Sequence, residues 1–178
     1  MAVAKRSGDM AELVTIELTD PLHSDAQFCL QQFYAELDRR FDGGYDPADS
    51  IPAEPDDMRP PAGVFLVATL RGEPIGCGAL KFHADQPTEL KRMWVSRNAR
   101  GLGVGRRLLT ELERLAAHST SRVIHLETNA TLIEAIAMYR AAGYREVAPF
   151  SDDPYATHWF EKSTSPETSA SRAKAWAT

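Results

Sequence analysis

The residues that most plainly invite chemistry lie at 97–109, RNARGLGVGRRLL. Gly101, Gly103 and Gly105 alternate with larger residues, arginines flank them, and leucines follow. The leucines read as the start of a helix. The first turn of a helix leaves backbone N–H groups without partners, and the aligned peptide dipoles add partial positive charge there. No Ser, Thr, Asp or Asn stands immediately before this helix to cap those groups. Glycine lets a backbone approach a bulky anion with no Cβ in the way. Arg100, Arg106 and Arg107 add formal charge. The simplest ligand for such a place is a phosphate or a pyrophosphate.

Two nucleotide motifs fit this stretch less well. A P-loop needs G-x-x-x-x-G-K-[ST], which the chain lacks. A dinucleotide-binding fingerprint would use Gly101 and Gly103, with Glu127 ending the next strand, but its third glycine falls on Arg106. The segment before it, TELKRMWV, carries Glu89, Lys91 and Arg92. A central parallel strand is buried on both faces and reads as continuous apolar residues instead. A plain glycine-rich turn before a surface helix is the remaining alternative.

The rest of the chain has to position this loop. Its 178 residues suit one domain, and 43% apolar residues suffice for a core. A formal net charge of −5 argues against a nucleic-acid partner. No apolar run reaches the length of about 18 residues that spans a membrane. The opening MAVAKRSGDMAELVTIEL has no apolar signal-peptide segment, so a cytoplasmic protein is expected. Cys29 and Cys77 read as two reduced thiols, and the five histidines show no ligand spacing, so no structural metal is expected.

Periodicity predicts a strand over 13–18 and a helix over 24–41, with Phe28, Leu30, Phe33, Leu37 and Phe41 at roughly helical spacing and Ser24 or Asp25 as its cap. Residues 42–62 hold five prolines, six acids and one arginine, and read as a long loop with at most one helical turn. A meander of strands follows at 63–70, 75–82 and 88–95. A helix from about 103 places Val104, Leu108, Leu112 and Leu115 on one stripe. Then come a strand at 122–128, a helix at 131–143 closed by Gly143, and strands in YREV and ATHWFEK. The domain is expected over 1–162, with 163–178 too poor in apolar groups to order itself. This mixture is α+β, with a partly parallel segment late in the chain.

At this point the sequence resembles a family, the GNAT superfamily of acyl-CoA-dependent N-acetyltransferases. RGLGVG fits its pattern Q/R-x-x-G-x-G/A, with Arg100, Gly103 and Gly105 at the matching positions. TELKRMWVSRNARGLGVGRRLLTELE is similar to the family's fourth strand and third helix. HLETNATLIEAIAMYRAAGYREV is similar to its later segment, and the resemblance runs over roughly 13–162, weakest at 42–62. It implies a mostly antiparallel sheet that splays between the fourth and fifth strands. It implies acetyl-CoA as co-substrate, without a metal. The N–H groups from Leu102 to Arg107, with Gly101, Val104 and Arg106 among them, would cradle the pyrophosphate. The pantetheine arm would lie along Met93, Trp94 and Val95, and Asn129 would contact it or a water.

The resemblance also assigns the chemistry. Tyr139, in AxxxYxxxGY with Ala135, Gly143 and Tyr144, would protonate the departing thiolate. Its alternative is core packing, on a stripe with Leu132 and Ile136. Glu89 would take the amine's proton, its pKa raised by partial burial on a face shared with Lys91, Met93 and Val95. The alternative there is a solvated strand residue paired with Lys91 or Arg92, and Glu127 near the splay would share or take over the role. The backbone N–H of Val95 would be the donor to the carbonyl oxygen.

By the same resemblance Phe33, Tyr34, Leu37 and Asp38, with PFSDDPYATHW and its Tyr155, would form the acceptor site. Its acids, and a charge of −5 over 42–62, suggest a lid that attracts a cationic amine, or merely a solvated loop. The expected function is direct acetyl transfer to a primary amine of a small molecule or peptide. A catalytically silent acyl-CoA sensor and an ATP-binding protein are the alternatives. Neither a nucleic acid nor a membrane is expected as partner, and a homodimer is left open.

Overall fold

The computed structural model describes residues 13–164, so nearly all of the expected tail lies outside the described residues. The chain runs β1 (Val14–Leu18), α1 (Ser24–Arg40), a short 3-10 turn (Pro55–Met58), β2 (Gly63–Leu70), β3 (Glu73–Lys81) and β4 (Thr88–Val95). A second 3-10 turn (Arg97–Ala99) leads to α2 (Val104–Ala116), β5 (Val123–Thr128), α3 (Ile133–Ala141), β6 (Arg145–Val147) and β7 (His158–Ser163). One seven-stranded sheet takes the order β1-β2-β3-β4-β5-β7-β6. Only β4 and β5 pair in parallel, as the α+β reading requires. No helix among the described residues is long and apolar enough to cross a membrane.

Strand alternation divides the core between the two faces of this sheet. Leu66, Leu80, Leu90 and Ile124 pack with Val104, Leu108 and Leu112 of α2 and Ile136 of α3. Phe65, Val67, Cys77, Ala79 and Trp94 pack with Ala26, Cys29 and Leu30 of α1, and Met58 of the proline-rich loop joins them. Both cysteines are free and buried in that second cluster, and burial pushes the Cys77 thiol well above its ordinary range. The cap of α1 is His23 rather than Ser24 or Asp25. Its Nδ1 accepts the Asp25 N–H at 3.2 Å.

Two irregularities of β4 shape the site. The first is a bulge. Cys77 pairs with Trp94 and Ala79 with Lys91, so Arg92 and Met93 together face Gly78. A Cβ on Gly78 would stand 2.6 Å from the Met93 sulfur and 2.7 Å from a Leu112 methyl, so the glycine leaves that space to those side chains. The bulge overturns the expectation that Glu89, Lys91, Met93 and Val95 share a face. Lys91 lies beside Ala79 on the α1 side, while Met93 and Val95 pack into the opposite cluster with Leu90. One inserted residue reverses the side-chain parity of everything beyond it. The second irregularity is a splay. β4 and β5 pair only through Thr88↔Ile124 and Glu89↔His125, and beyond these the β5-facing edge of β4 has no strand partner among the described residues.

Candidate active site

Where β4 and β5 part, a cavity of about 560 Å³ opens against the start of α2. Gly103 caps that helix with φ +76°, and no side chain caps it. A Cβ on Gly103 would meet nothing within 4 Å. Its left-handed backbone therefore selects glycine, and crowding does not. Leu102 N–H donates to Ala99 O at 3.3 Å and Arg107 N–H to Gly103 O at 3.1 Å. Of the N–H groups from Leu102 to Arg107 these two are engaged, which leaves those of Gly103, Val104, Gly105 and Arg106 at the helix start. Met93, Trp94, Val95, Arg100, Gly101, Gly103, Val104, Gly105 and Arg106 line this cavity, whereas Leu102 and Asn129 do not. Asn129 instead holds loops together, donating to Tyr155 O at 2.8 Å and accepting from Thr131 N–H at 2.9 Å.

The arginines divide differently from expectation. Arg100 Nη2 lies 2.6 and 2.8 Å from the two Glu36 oxygens, and its Nε donates to Val95 O at 3.2 Å. Its charge is matched by Glu36, and it still lines the cavity. Arg107 turns to Val14 O at 2.9 Å, while Arg106 is exposed on the cavity wall. Glu36 is the hub that sequence reasoning missed. It is 6% exposed and also accepts from Trp94 Nε1 at 3.0 Å and Arg40 Nη1 at 3.3 Å. The available signal was an acid inside the helical stripe Cys29, Phe33, Glu36, Arg40.

Burial pushes the Glu36 carboxyl up, but Arg100, Arg40 and Trp94 together hold it below its ordinary value. A depressed carboxylate stabilises the fold above the unfolded-state pKa, and that contribution is lost as pH falls through the folded-state value. Glu36→Ala is therefore expected to cost about 2–3 kcal/mol in urea unfolding at neutral pH, less than a fully buried pair because Arg100 is partly solvated. The difference from wild type should narrow as pH drops below the ordinary 4.5.

A second, smaller cavity of about 120 Å³ lies on the far side of the bulge, lined among others by Phe33, Leu37, Tyr45, Lys91, Arg92, Glu127, Asp153 and Tyr155. Met93 and Tyr139 line both cavities, as do Phe33, Leu37, Leu132 and Ala135, so Tyr139 stands where the two meet. Tyr139 is 5% exposed, its ring packs on Tyr144 and Phe160, and burial pushes its phenol above the ordinary value.

The carboxylates exchange the properties expected of them. Glu89 lies outside both linings and pairs with His83 Nε2 at 2.7 Å and Lys91 Nζ at 2.9 Å. Burial raises its pKa, but Lys91 and His83 outweigh that and hold it low. Glu127 lines the smaller cavity, and burial foremost, with the charges of Asp153 and Glu89, pushes its carboxyl up. Ser151 Oγ donates to Glu127, and Trp159 Nε1 donates to Ser151 Oγ at 3.0 Å. Nothing in PFSDDPY or in the last strand announced that relay.

The acidic loop does not become an acidic lid. Asp57 pairs with Lys81 at 3.2 Å and Asp56 with Arg59, which also pairs with Asp20 at 2.9 Å. Of residues 42–62, only Tyr45, Ser50 and Ile51 line the smaller cavity. Asp153 ties the loop down, accepting from Ser50 Oγ at 2.6 Å and Ile51 N–H at 2.8 Å. Tyr45 stacks with Tyr34 and packs on Tyr155, while Asp38 accepts the Tyr45 N–H at 3.0 Å. Tyr34 and Asp38 thus build the wall without lining the cavity, whereas Phe33, Glu127 and Tyr155 line it.

Comparison with known proteins agrees with this geometry. Residues 30–144 match the profile of the acetyltransferase (GNAT) family. An IAA acetyltransferase of Azospirillum brasilense is 34% identical over 143 residues, covering 80% of this chain and 90% of that protein. The N-acetylaspartate synthetase of Homo sapiens is 36% identical over 92 residues, which is 51% of this chain and only 30% of that protein's length. An aminoglycoside 6'-N-acetyltransferase solved with coenzyme A superposes with a TM-score of 0.63 at 17% identity, over 86% of this chain and 99% of that one, a likeness of fold. With its glycine-started helix, its parted fourth and fifth strands and the family's match over most of the sheet, the chain belongs to the GNAT acetyltransferases.

Proposed function

We propose that this protein moves the acetyl group of acetyl-CoA directly onto a primary amine, with residues 1–162 as one catalytic domain. The observation that carries this reading is the pair of cavities sharing Met93 and Tyr139, one ending at uncapped N–H groups and the other holding an elevated carboxyl. The first suits the diphosphate and pantetheine of the donor. Pantetheine amides have an open strand edge to bond along β4. Ser96 N–H donates to Ile75 O at 2.8 Å, so strand alternation turns the Val95 N–H away from β3 and toward the splay. There it donates to the carbonyl oxygen as negative charge develops.

The amine reaches the thioester carbon only after losing a proton, because an ammonium has no lone pair. That first proton goes to solvent; as the C–N bond forms the nitrogen becomes positive again and Glu127 takes its second proton, with Ser151 fixing the carboxylate's orientation. The C–S bond then breaks, and the Tyr139 hydroxyl donates to the departing thiolate. A phenol pushed up by burial stays protonated across the working range.

On this reading coenzyme A raises Tm more than ATP or NAD does. A hundredfold excess over Kd is worth about 2.7 kcal/mol, or about 5–10 °C for a domain of this size. Gly103→Val should erase the shift, since a β-branched residue strains a left-handed backbone and its side chain enters the cavity. Normal binding by that variant would remove the loop from the donor site. Thiol release over a panel of amines tests the transfer itself, and CoA binding without turnover of any amine would leave a sensor.

A further inference from the structure

We infer that the acceptor is an amino acid, a small amine whose own carboxylate is held by Arg92. This rests on the acetyl-transfer reading above and names the substrate class of the same site. Arg92 occupies the bulge of β4 at φ +59°, a region non-glycine residues seldom enter, and its side chain lines the smaller cavity. Its guanidinium lies over the rings of Phe33 and Tyr34, 5.8 and 5.4 Å from their centroids. Its Nε is buried without a hydrogen-bond partner.

The neighbouring cations are matched by protein. Arg100 and Arg40 share Glu36, Arg59 has Asp20, and Lys91 has Glu89. Arg92 has no carboxylate partner among the described residues. Arg92 is half-buried, its Nε is shielded from water, and a ligand carboxylate would supply the counter-ion it lacks. Both rings lie within cation–π distance of the guanidinium, whose N–H groups suit a planar, two-point carboxylate.

Two anions face the same cavity. Asp153 is already occupied by Ser50, Ile51 and the Tyr155 N–H. Glu127 carries the Ser151 bond on one oxygen and is the group assigned to the amine. A molecule with an ammonium and a carboxylate complements Glu127 and Arg92 together. A polyamine would set a second cation against Arg92 and Lys91. The cavity volume, about 120 Å³, gives room for a molecule of amino-acid size. An amino acid stays within the expected class of primary amines and adds a carboxylate to it.

The test pairs each L-amino acid with its own carboxamide, which keeps the amine and removes the charge. Thiol release is measured with saturating acetyl-CoA. Binding is read separately, as the thermal shift each compound adds to protein already saturated with coenzyme A. At least one amino acid should exceed its carboxamide in kcat/KM and in binding by about 10- to 100-fold. Arg92→Met should raise KM for the amino acid by a similar factor, raise it far less for the carboxamide, and keep the coenzyme A shift that reports a folded donor site. Arg92→Lys should recover part of the loss. Equal treatment of acid and carboxamide by wild type, or equal losses for both in Arg92→Met, overturns the carboxylate assignment while acetyl transfer stands. Selective binding of an amino acid that is never acetylated overturns the transfer reading and leaves Arg92 as the carboxylate site.

Discussion

Glu127→Gln is expected to lower kcat/KM by about 10²–10³-fold, within the range for removal of a general base. The pH profile makes the result specific. In the wild type the base works only when ionised, so kcat/KM rises as pH climbs through the Glu127 pKa. Burial and the nearby carboxylates place that value above the ordinary 4.5. A second rise follows deprotonation of the free amine, near pH 10 for an alkyl ammonium by analogy with lysine. The glutamine variant should lose the first limb and keep the second. Ser151→Ala should move the first limb upward, because the Ser151 hydroxyl donates to the charged carboxylate and holds its pKa down. Glu89→Gln serves as the contrast, with an expected loss below about 10-fold, since its partners His83 and Lys91 hold it outside the cavity lining. A full acidic limb in Glu127→Gln would return the proton to Glu89 or to water.

Tyr139→Phe should reduce kcat by about 10²-fold, at the low end for loss of a proton donor. The coenzyme A thermal shift should barely change, because the ring keeps its packing against Tyr144 and Phe160. The role predicts a further dependence. Acetyl donors with more acidic thiols need less help in leaving, so the deficit should shrink as the thiol pKa falls. A deficit that ignores the leaving group would mean that the hydroxyl positions the donor without assisting its departure. An unchanged kcat, checked by a single-turnover measurement to remove product release, would leave the tyrosine as packing alone.

Much of the scaffold was legible from residue order. Strand bounds of 63–70 and 88–95 came from apolar runs between turn residues and stand unchanged. The stripe of Val104, Leu108 and Leu112 located α2 and its buried face, and Gly143 closed α3 in a left-handed turn at φ +90°. The spaced glycines announced a helix start without a side-chain cap. Each of these rests on contacts within a few residues, where side-chain period and glycine's backbone freedom act locally.

What only the tertiary structure decided depends on distant partners. Glu36 and Arg100 are 64 residues apart in sequence, and their pairing gives an expected phosphate ligand a protein partner. Two glutamates at strand positions look alike in the sequence. His83 and Lys91 lower one pKa, and burial beside Asp153 raises the other. The bulge at Arg92 lies opposite Gly78 in the register with β3, and it decides which side chains of β4 face α1 and which face α2. Local order determines where helices and strands form. Electrostatic partners and strand parity are set across the sheet, by charges and backbones that meet only when the chain has folded.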